Sequence, residues 1–355
     1  MKRAFLLLVA LAVIGGAGAA IVIYMRTTEP YKGYDNAEQF VIIEPGSGTR
    51  AIGRRLVEAG VVRDEALFRV AIWTSGRARS LQAGEFRFDA PMTPLEVIEK
   101  IATGDVYTRR VTFPEGLTVA EMARIYEQQG FGPAAGFIAS ARDASAVREF
   151  DPEASDLEGY LFPETYLMPR DVTAARIVGL MVGRFKEVFS PEIQEAGRAL
   201  GLSPRQIVTL ASLVEKETAV PDERPMVAAV YLNRLKIGMG MQADPTVIYA
   251  LQRAGRYDGN LGRDDLSFDS PYNTYRYAGL PPGPIASPGL ASLKAAVAPA
   301  SVDYLYFVSR NDGSHVFSRT LDEHNANVRQ YQVLYFREKR AAEAAARTKG
   351  QPVRP

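Results

Sequence analysis

The chain has 355 residues, 47% of them hydrophobic, and its 42 basic and 41 acidic residues leave a formal net charge of +1. That length allows a substantial core and two or three folded units, and the near-neutral balance gives no support for nucleic acid as a partner. The absence of cysteine excludes a disulfide framework and a thiol nucleophile. Two histidines, His315 and His324, are too few to suggest a zinc site, though an all-oxygen site stays open. No cofactor is expected.

Ala4 to Met25 is an uncharged, largely apolar run of 22 residues, long enough to cross a bilayer. Lys2 and Arg3 precede it and favour an N-terminal stub (1–3) inside the cell, with everything after Arg26 outside. Ala17-Gly18-Ala19 resembles a signal-peptide cleavage site. Apolarity continues through Ala20-Ile21-Val22-Ile23, so a retained anchor is the better reading. Residues 26–38 are polar, with Pro and Gly, and read as a linker.

A weak internal repeat follows. VIIEPGSGTRAIGRRLVEAG from Val41 aligns with VTFPEGLTVAEMARIYEQQG from Val111, pairing Gly46 with Gly116 and Gly60 with Gly130. The shared pattern is a strand, a Gly turn, an amphipathic helix and a Gly stop. In the first copy, a helix at about 64–74, a strand at 85–88 and a helix capped by Thr93 complete the unit. The strand–helix–helix–strand order over 39–105 resembles a LysM module, a type that binds glycans rich in N-acetylglucosamine. A plain packing domain fits the same pattern. Further on, Leu157-Glu158-Gly159-Tyr160-Leu161-Phe162-Pro163-Glu164-Thr165-Tyr166 is dense in aromatics, which stack on sugars but more often form core. Glu164 is a candidate second carboxylate there.

Ser203, Pro204 and Gln206 together predict a helix start. On a wheel of about 100° per residue, Glu217 falls within roughly 20° of the centre of the apolar stripe. Glu215 lies at its margin, and Thr209, Ser212 and Lys216 fall opposite. A carboxyl aimed at an apolar interior has a raised pKa, which suits a general acid. The alternative is a structural glutamate tied to a buried Arg224 or Arg234.

Asp222 is read as opening a second helix that stops at Gly238, and Asp244-Pro245-Thr246 as a capped start of a third, so that capping alone accounts for Asp244. Tyr272-Asn273-Thr274-Tyr275 and the Pro/Gly-rich loops through Gly289 could shape a cleft. There Asn273, Thr274 and Tyr275 offer hydrogen bonds to sugar hydroxyls or an N-acetyl group. Gln242, Thr246 and Tyr272 join them as substrate-binding candidates. Residues 304–308 and 315–317 form a hairpin around Asn311-Asp312-Gly313, a helix runs from Asn325 to about Glu338, and a frayed charged tail (338–355) ends the chain. The fold class is α+β, with residues 106–337 as the main domain.

VEKETAVPDERPMVAAVYLNRLKIGMGMQADPTVIY, YNTY, GLPPGPIASPG and YLYFV together resemble the YceG-like endolytic murein transglycosylases, over about Phe40 to Phe336. The resemblance implies that the second glutamate of E-K-E-T, Glu217, is the essential residue. It also implies cleavage of the β-1,4 bond between N-acetylmuramic acid and N-acetylglucosamine, with closure of a 1,6-anhydro ring. In that reaction one carboxylate acts as acid and then as base. The family context implies peptidoglycan as substrate, peptidoglycan synthases as partners, and the outer side of the bacterial cytoplasmic membrane as location. A muramidase-type hydrolase using Asp244 or Glu164 as base, or a glycan-binding scaffold, are the competing readings.

Overall fold

The computed structural model describes residues 2–348, and the side chains of all of these except residues 2–10, 12, 19, 20, 23 and 342–348. The chain forms two compact units, Met1–Arg110 with Leu167–Asp171, and Val111–Tyr166 with Val172–Pro355.

The first unit opens with helix α1 (Lys2–Thr28). Among the described residues no helix is long and apolar enough to cross a membrane, and much of the Ala4–Met25 run has no described side chains. The residues after α1 are tied down. Glu29 pairs with Arg63 at 3.5 Å, Tyr31 and Met92 exchange backbone hydrogen bonds, and Gly33 N donates to the Gly60 carbonyl at 2.8 Å. Strand β1 (Gln39–Ile43) then pairs antiparallel with β2 (Gly84–Phe88), Val41 facing Phe86. Between them lie α2 (Thr49–Glu58) and α3 (Glu65–Ser75), whose first turn is capped by Asp64. Helix α4 (Pro94–Thr103) follows, with a reciprocal Thr93–Glu96 capping box. Ile43, Leu56, Phe68, Phe86 and Ile98 close the core of this unit.

The repeat is real in three dimensions. Strand β3 (Arg109–Thr112) leads into α5 (Val119–Gln128), which starts and ends 70 residues after α2. Gly46 and Gly116 have φ of 79° and 77°, and Gly60 and Gly130 have 69° and 71°, the left-handed conformation that favours glycine. The second copy goes further than its sequence suggests. Helix α6 (Ala134–Ala141) and β4 (Thr165–Met168), which pairs with β3, complete another strand–helix–helix–strand. The long connection 142–164, with a 3₁₀ turn at Ala144–Val147, hides that symmetry from simple alignment.

The second unit continues through α7 (Ala174–Val188), α8 (Pro191–Ala199) and α9 (Pro204–Glu217). Helices α10 (Arg224–Lys236), α11 (Asp244–Arg253) and α12 (Leu290–Val297) come next. The hairpin β5 (Tyr306–Ser309) and β6 (His315–Ser318) turns through Asn311 at φ 68° and Gly313 at φ 92°. Helix α13 (Leu321–Val328), a π-helical turn (Arg329–Leu334) and α14 (Tyr335–Thr348) follow.

Helix α9 is the axis of this unit, packed against α8, α10, α11 and α12. Its start is as the sequence predicts: Ser203 and Gln206 cap each other's backbone and Pro204 takes the first turn. The wheel is corrected on one point. Every residue from Ile207 to Val214 is buried, Thr209 and Ser212 included. Their hydroxyls are satisfied locally: Thr209 donates to the Arg205 carbonyl, while Ser212 donates to Thr209 O and accepts from Ile285 N at 3.1 Å.

Other boundaries shift as well. Asp222 does not open a helix; Pro221–Glu223 is a 3₁₀ turn and α10 starts at Arg224. The closing helix begins at Leu321, four residues before Asn325, because Thr320 and Glu323 form a capping box. Helix continues to Thr348, across the stretch expected to fray, where Ala, Glu, Lys and Arg dominate.

Candidate active site

Glu217 is the last residue of α9, and Thr218 caps the helix in an extended conformation. The side chain therefore leaves the helix at the edge of the core, where it is half-buried. Tyr231 of α10, fully buried, donates its hydroxyl to Glu217 Oε1 at 2.7 Å. Burial raises the Glu217 carboxyl above its ordinary pKa, against the Tyr231 hydrogen bond; the Asp244 charge adds to the rise, while His315 and Arg234 oppose it. With Oε1 engaged as an acceptor, Oε2 is the oxygen left to carry the proton.

Glu217 lines a cleft of about 420 Å³ together with Arg234, Gln242, Asp244, Tyr275 and Tyr306. Phe307, Leu321, His324 and Asn325 complete its far wall. Arg234 is a strut, not the carboxylate's ion-pair partner. Its guanidinium donates to the carbonyls of Leu305 (2.6 Å) and Met241 (2.5 Å), pinning the hairpin to the segment before α11. Gln242 holds a left-handed φ of 49°, rare for a residue with a side chain, and its N–H donates to Thr274 O at 3.3 Å. Asp244 does not cap α11. Its carboxylate accepts from the Tyr275 hydroxyl at 2.5 Å inside the cleft, which corrects the reading that capping explains it.

Glu215, two residues earlier, has a different task. Its Oε2 accepts from Gly289 N at 3.0 Å, and Oε1 lies 3.9 Å from Arg224. Glu115 stands beside this pair; burial raises its pKa, Glu215 adds to the rise, and Arg224 opposes it. Arg224, one of the two arginines predicted as possible partners of Glu217, thus serves Glu215. Among the described residues Glu217 has no ion pair.

The structure sorts the remaining candidates. Gln242, Asp244 and Tyr275 share the cleft with Glu217. Thr246, Asn273 and Thr274 are buried beneath it. Thr274 Oγ1 accepts from Ala243 N and meets Thr246 Oγ1 at 2.9 Å, while Asn273 Nδ2 donates to the carbonyls of Leu266 and Phe268. These three build the cleft floor from behind and have no side chain free for sugar. Tyr272 lies outside the cleft lining, its hydroxyl bonded to Arg253 at 3.2 Å. Glu164 is a surface residue paired with Arg184 at 2.8 Å, and is not a wall of the cleft either.

Sequence reasoning missed Tyr231 as the carboxylate's partner, and Tyr306, His324 and Asn325 as cleft walls. Tyr306 and His324 stack with centroids 5.1 Å apart at 22°. Their positions depend on the hairpin folding back onto α10, which no local pattern announces. Glu223 was also overlooked: it is buried, and His315 N–H, His315 Nδ1 and Thr218 Oγ1 surround its carboxylate at 2.7–3.0 Å. Burial pushes Glu223 up, but those hydrogen bonds outweigh it and hold the carboxyl below its usual range. This network fixes the turn that follows Glu217.

The cleft thus brings together one glutamate whose pKa is raised, the tyrosine that backs it, and aromatic and amide walls. Residues 41–330 match the YceG-like family, and the chain belongs to that family. It is 32% identical, over 88% of its length and 90% of the relative's, to an endolytic murein transglycosylase of Bacillus subtilis (strain 168). It is 28% identical to one of Streptococcus pneumoniae serotype 2, covering 83% of this chain and 59% of that one. A crystal structure of a yceG-like protein from Listeria monocytogenes aligns with a TM-score of 0.56 at 32% identity, over 81% of this chain and 98% of the other.

Proposed function

We propose that the protein is an endolytic murein transglycosylase, cutting the β-1,4 bond between N-acetylmuramic acid and N-acetylglucosamine within peptidoglycan strands. The observation that carries this reading is Glu217, a carboxyl with raised pKa that lines the cleft and lies within the stretch that matches the family. Glu217 Oε2–H protonates the glycosidic oxygen, and the C1–O4 bond breaks to release the 4-hydroxyl of the glucosamine. The resulting carboxylate then takes the C6 hydroxyl proton of the muramic acid as O6 bonds to C1, closing the 1,6-anhydro ring. Water is not consumed, so one carboxylate is enough.

Digestion of purified murein by the wild type and by Glu217→Gln, read by mass spectrometry, tests this. Anhydro-ended internal fragments from the wild type alone are expected. Reducing ends carrying heavy oxygen from labelled water would favour the second reading, a hydrolase, which draws support from Asp244 in the same cleft.

In the same reading, residues 4–25 anchor the protein in the bacterial cytoplasmic membrane, N-terminus inside and active site outside. The strand–helix–helix–strand module of the first unit then acts as a LysM-like glycan holder. A cavity of about 390 Å³ in that unit, lined by Ile43, Pro45, Ala83, Gly84, Val106 and Arg170, supports that role. Association with peptidoglycan synthases would let the enzyme set the length of nascent strands. A pulldown with the full chain that recovers no synthase would remove that part alone.

A further inference from the structure

Trp73, the only tryptophan of the chain, is 81% exposed near the end of α3. An indole left bare forfeits the burial of about 150–250 Å² of mostly apolar surface. Ala66, Arg69, Val70 and Trp73 follow helical spacing along one outward stripe. Residues 66–84 contain three arginines, Arg69, Arg77 and Arg79, and no acidic residue. Arg77 is engaged by Glu99 at 2.9 Å, whereas the exposed side chains of Arg69 and Arg79 have no ion pair among the described residues.

The helix that packs against α3 argues for the occupant. Helix α1, which carries the apolar run, packs against α3 and α4 within the first unit. Its end is pinned there by the Glu29–Arg63 pair and the Tyr31–Met92 and Gly33–Gly60 hydrogen bonds. Tyr24, on the last turns of α1, is exposed as well. Tryptophan and tyrosine flanked by arginine is the side-chain set found at the level of lipid headgroups, where the ring is half solvated and the cation meets phosphate.

We propose that the outward face of α3 docks on the membrane surface, with Trp73 at headgroup depth and Arg69 and Arg79 against anionic lipid. The proposal rests on the reading that residues 4–25 cross that membrane. It assigns the first unit a lipid-binding face in addition to its glycan-holding role.

The single tryptophan makes the test direct. The full chain is placed in lipid nanodiscs containing phosphatidylglycerol, with or without brominated acyl chains, and Trp73 emission is followed while iodide is added. Iodide quenching several-fold weaker than for free tryptophan amide, together with quenching by the brominated lipid, is the expected result. Both effects should weaken in the double variant Arg69→Glu, Arg79→Glu. Iodide access equal to the free amide, in discs that retain the protein, overturns docking and leaves the anchor intact. Protection without bromine quenching assigns Trp73 to a protein contact, and protection seen only on adding murein assigns it to sugar; either overturns the proposal. A chain that never enters the discs overturns the anchor and the docking face together.

Discussion

Glu215 and Glu217 are two residues apart on one helix and differ in everything that decides a role. Glu215 is closed in by a backbone amide, a guanidinium and a neighbouring glutamate, so it holds the Ser287–Gly289 loop to α9. Glu217 meets one tyrosine hydroxyl and a cleft. A half-turn of helix separates a carboxylate closed in by partners from one that faces a cleft. The lesson is that acidity in a site is set by what is withheld from a carboxyl as much as by what it is given.

The sharpest way to break this contrast is to neutralise each glutamate in turn. Glu217→Gln is expected to lower the rate of anhydro-product formation by about 10²–10⁴-fold, the usual share of a general acid, with the melting temperature unchanged or higher. Glu215→Ala is expected to do the reverse. It strands a buried guanidinium and an amide, costing about 3 kcal/mol in denaturant unfolding, while activity per folded molecule falls far less. If both variants lose activity equally at full stability, the division of labour is wrong.

Tyr231→Phe sharpens the assignment of the two oxygens. Losing that hydrogen bond, worth about 1 kcal/mol, should slow turnover roughly fivefold. Because the bond favours the ionised form, its loss should move the alkaline limb of the pH–rate profile upward. A downward shift would contradict the geometry.

Glu158 provides a control outside the active cleft. It is buried against Val119 N (3.0 Å) and the Tyr249 hydroxyl (3.3 Å), and burial lifts its pKa from 4.5 to about 8. The folded state therefore favours the protonated form. That contribution to stability is fully present below about pH 4.5 and is lost as pH rises through about 8. Melting curves of Glu158→Gln should show a flatter decline over that window than the wild type. The smallest effect belongs to Glu164→Ala, which removes one exposed ion pair with Arg184; less than about 0.5 kcal/mol and no change in activity are expected.

Much of this was legible in the sequence because it is local. Ser203-Pro204 and Thr93 announce helix starts, Asn311-Asp312-Gly313 announces a hairpin, and the wheel singles out Glu217 without reference to any relative. Asp244 shows where local reading stops. Asp-Pro at a helix start looks like a cap, yet the helix begins at Asp244 itself, and Tyr275, 31 residues away, takes its carboxylate. Thr246, Asn273 and Thr274 mislead for the opposite reason. Polar residues in a Pro/Gly-rich loop suggest ligand contacts, but a buried loop must satisfy its own backbone, and these side chains do that work.

The position of Glu217 at the final residue of α9 carries one more consequence. The unpaired carbonyls of a helix's last turn concentrate partial negative charge at that end, and a carboxylate placed there is disfavoured. The helix itself thus works in the same direction as burial and helps keep the proton on the acid. This field arises from the backbone and falls off within the last turn, and because the half-buried carboxyl opens on a cleft, salt screens part of it. The share of the Glu217 shift that the helix end supplies should therefore shrink as salt is added, while the share that burial supplies stays.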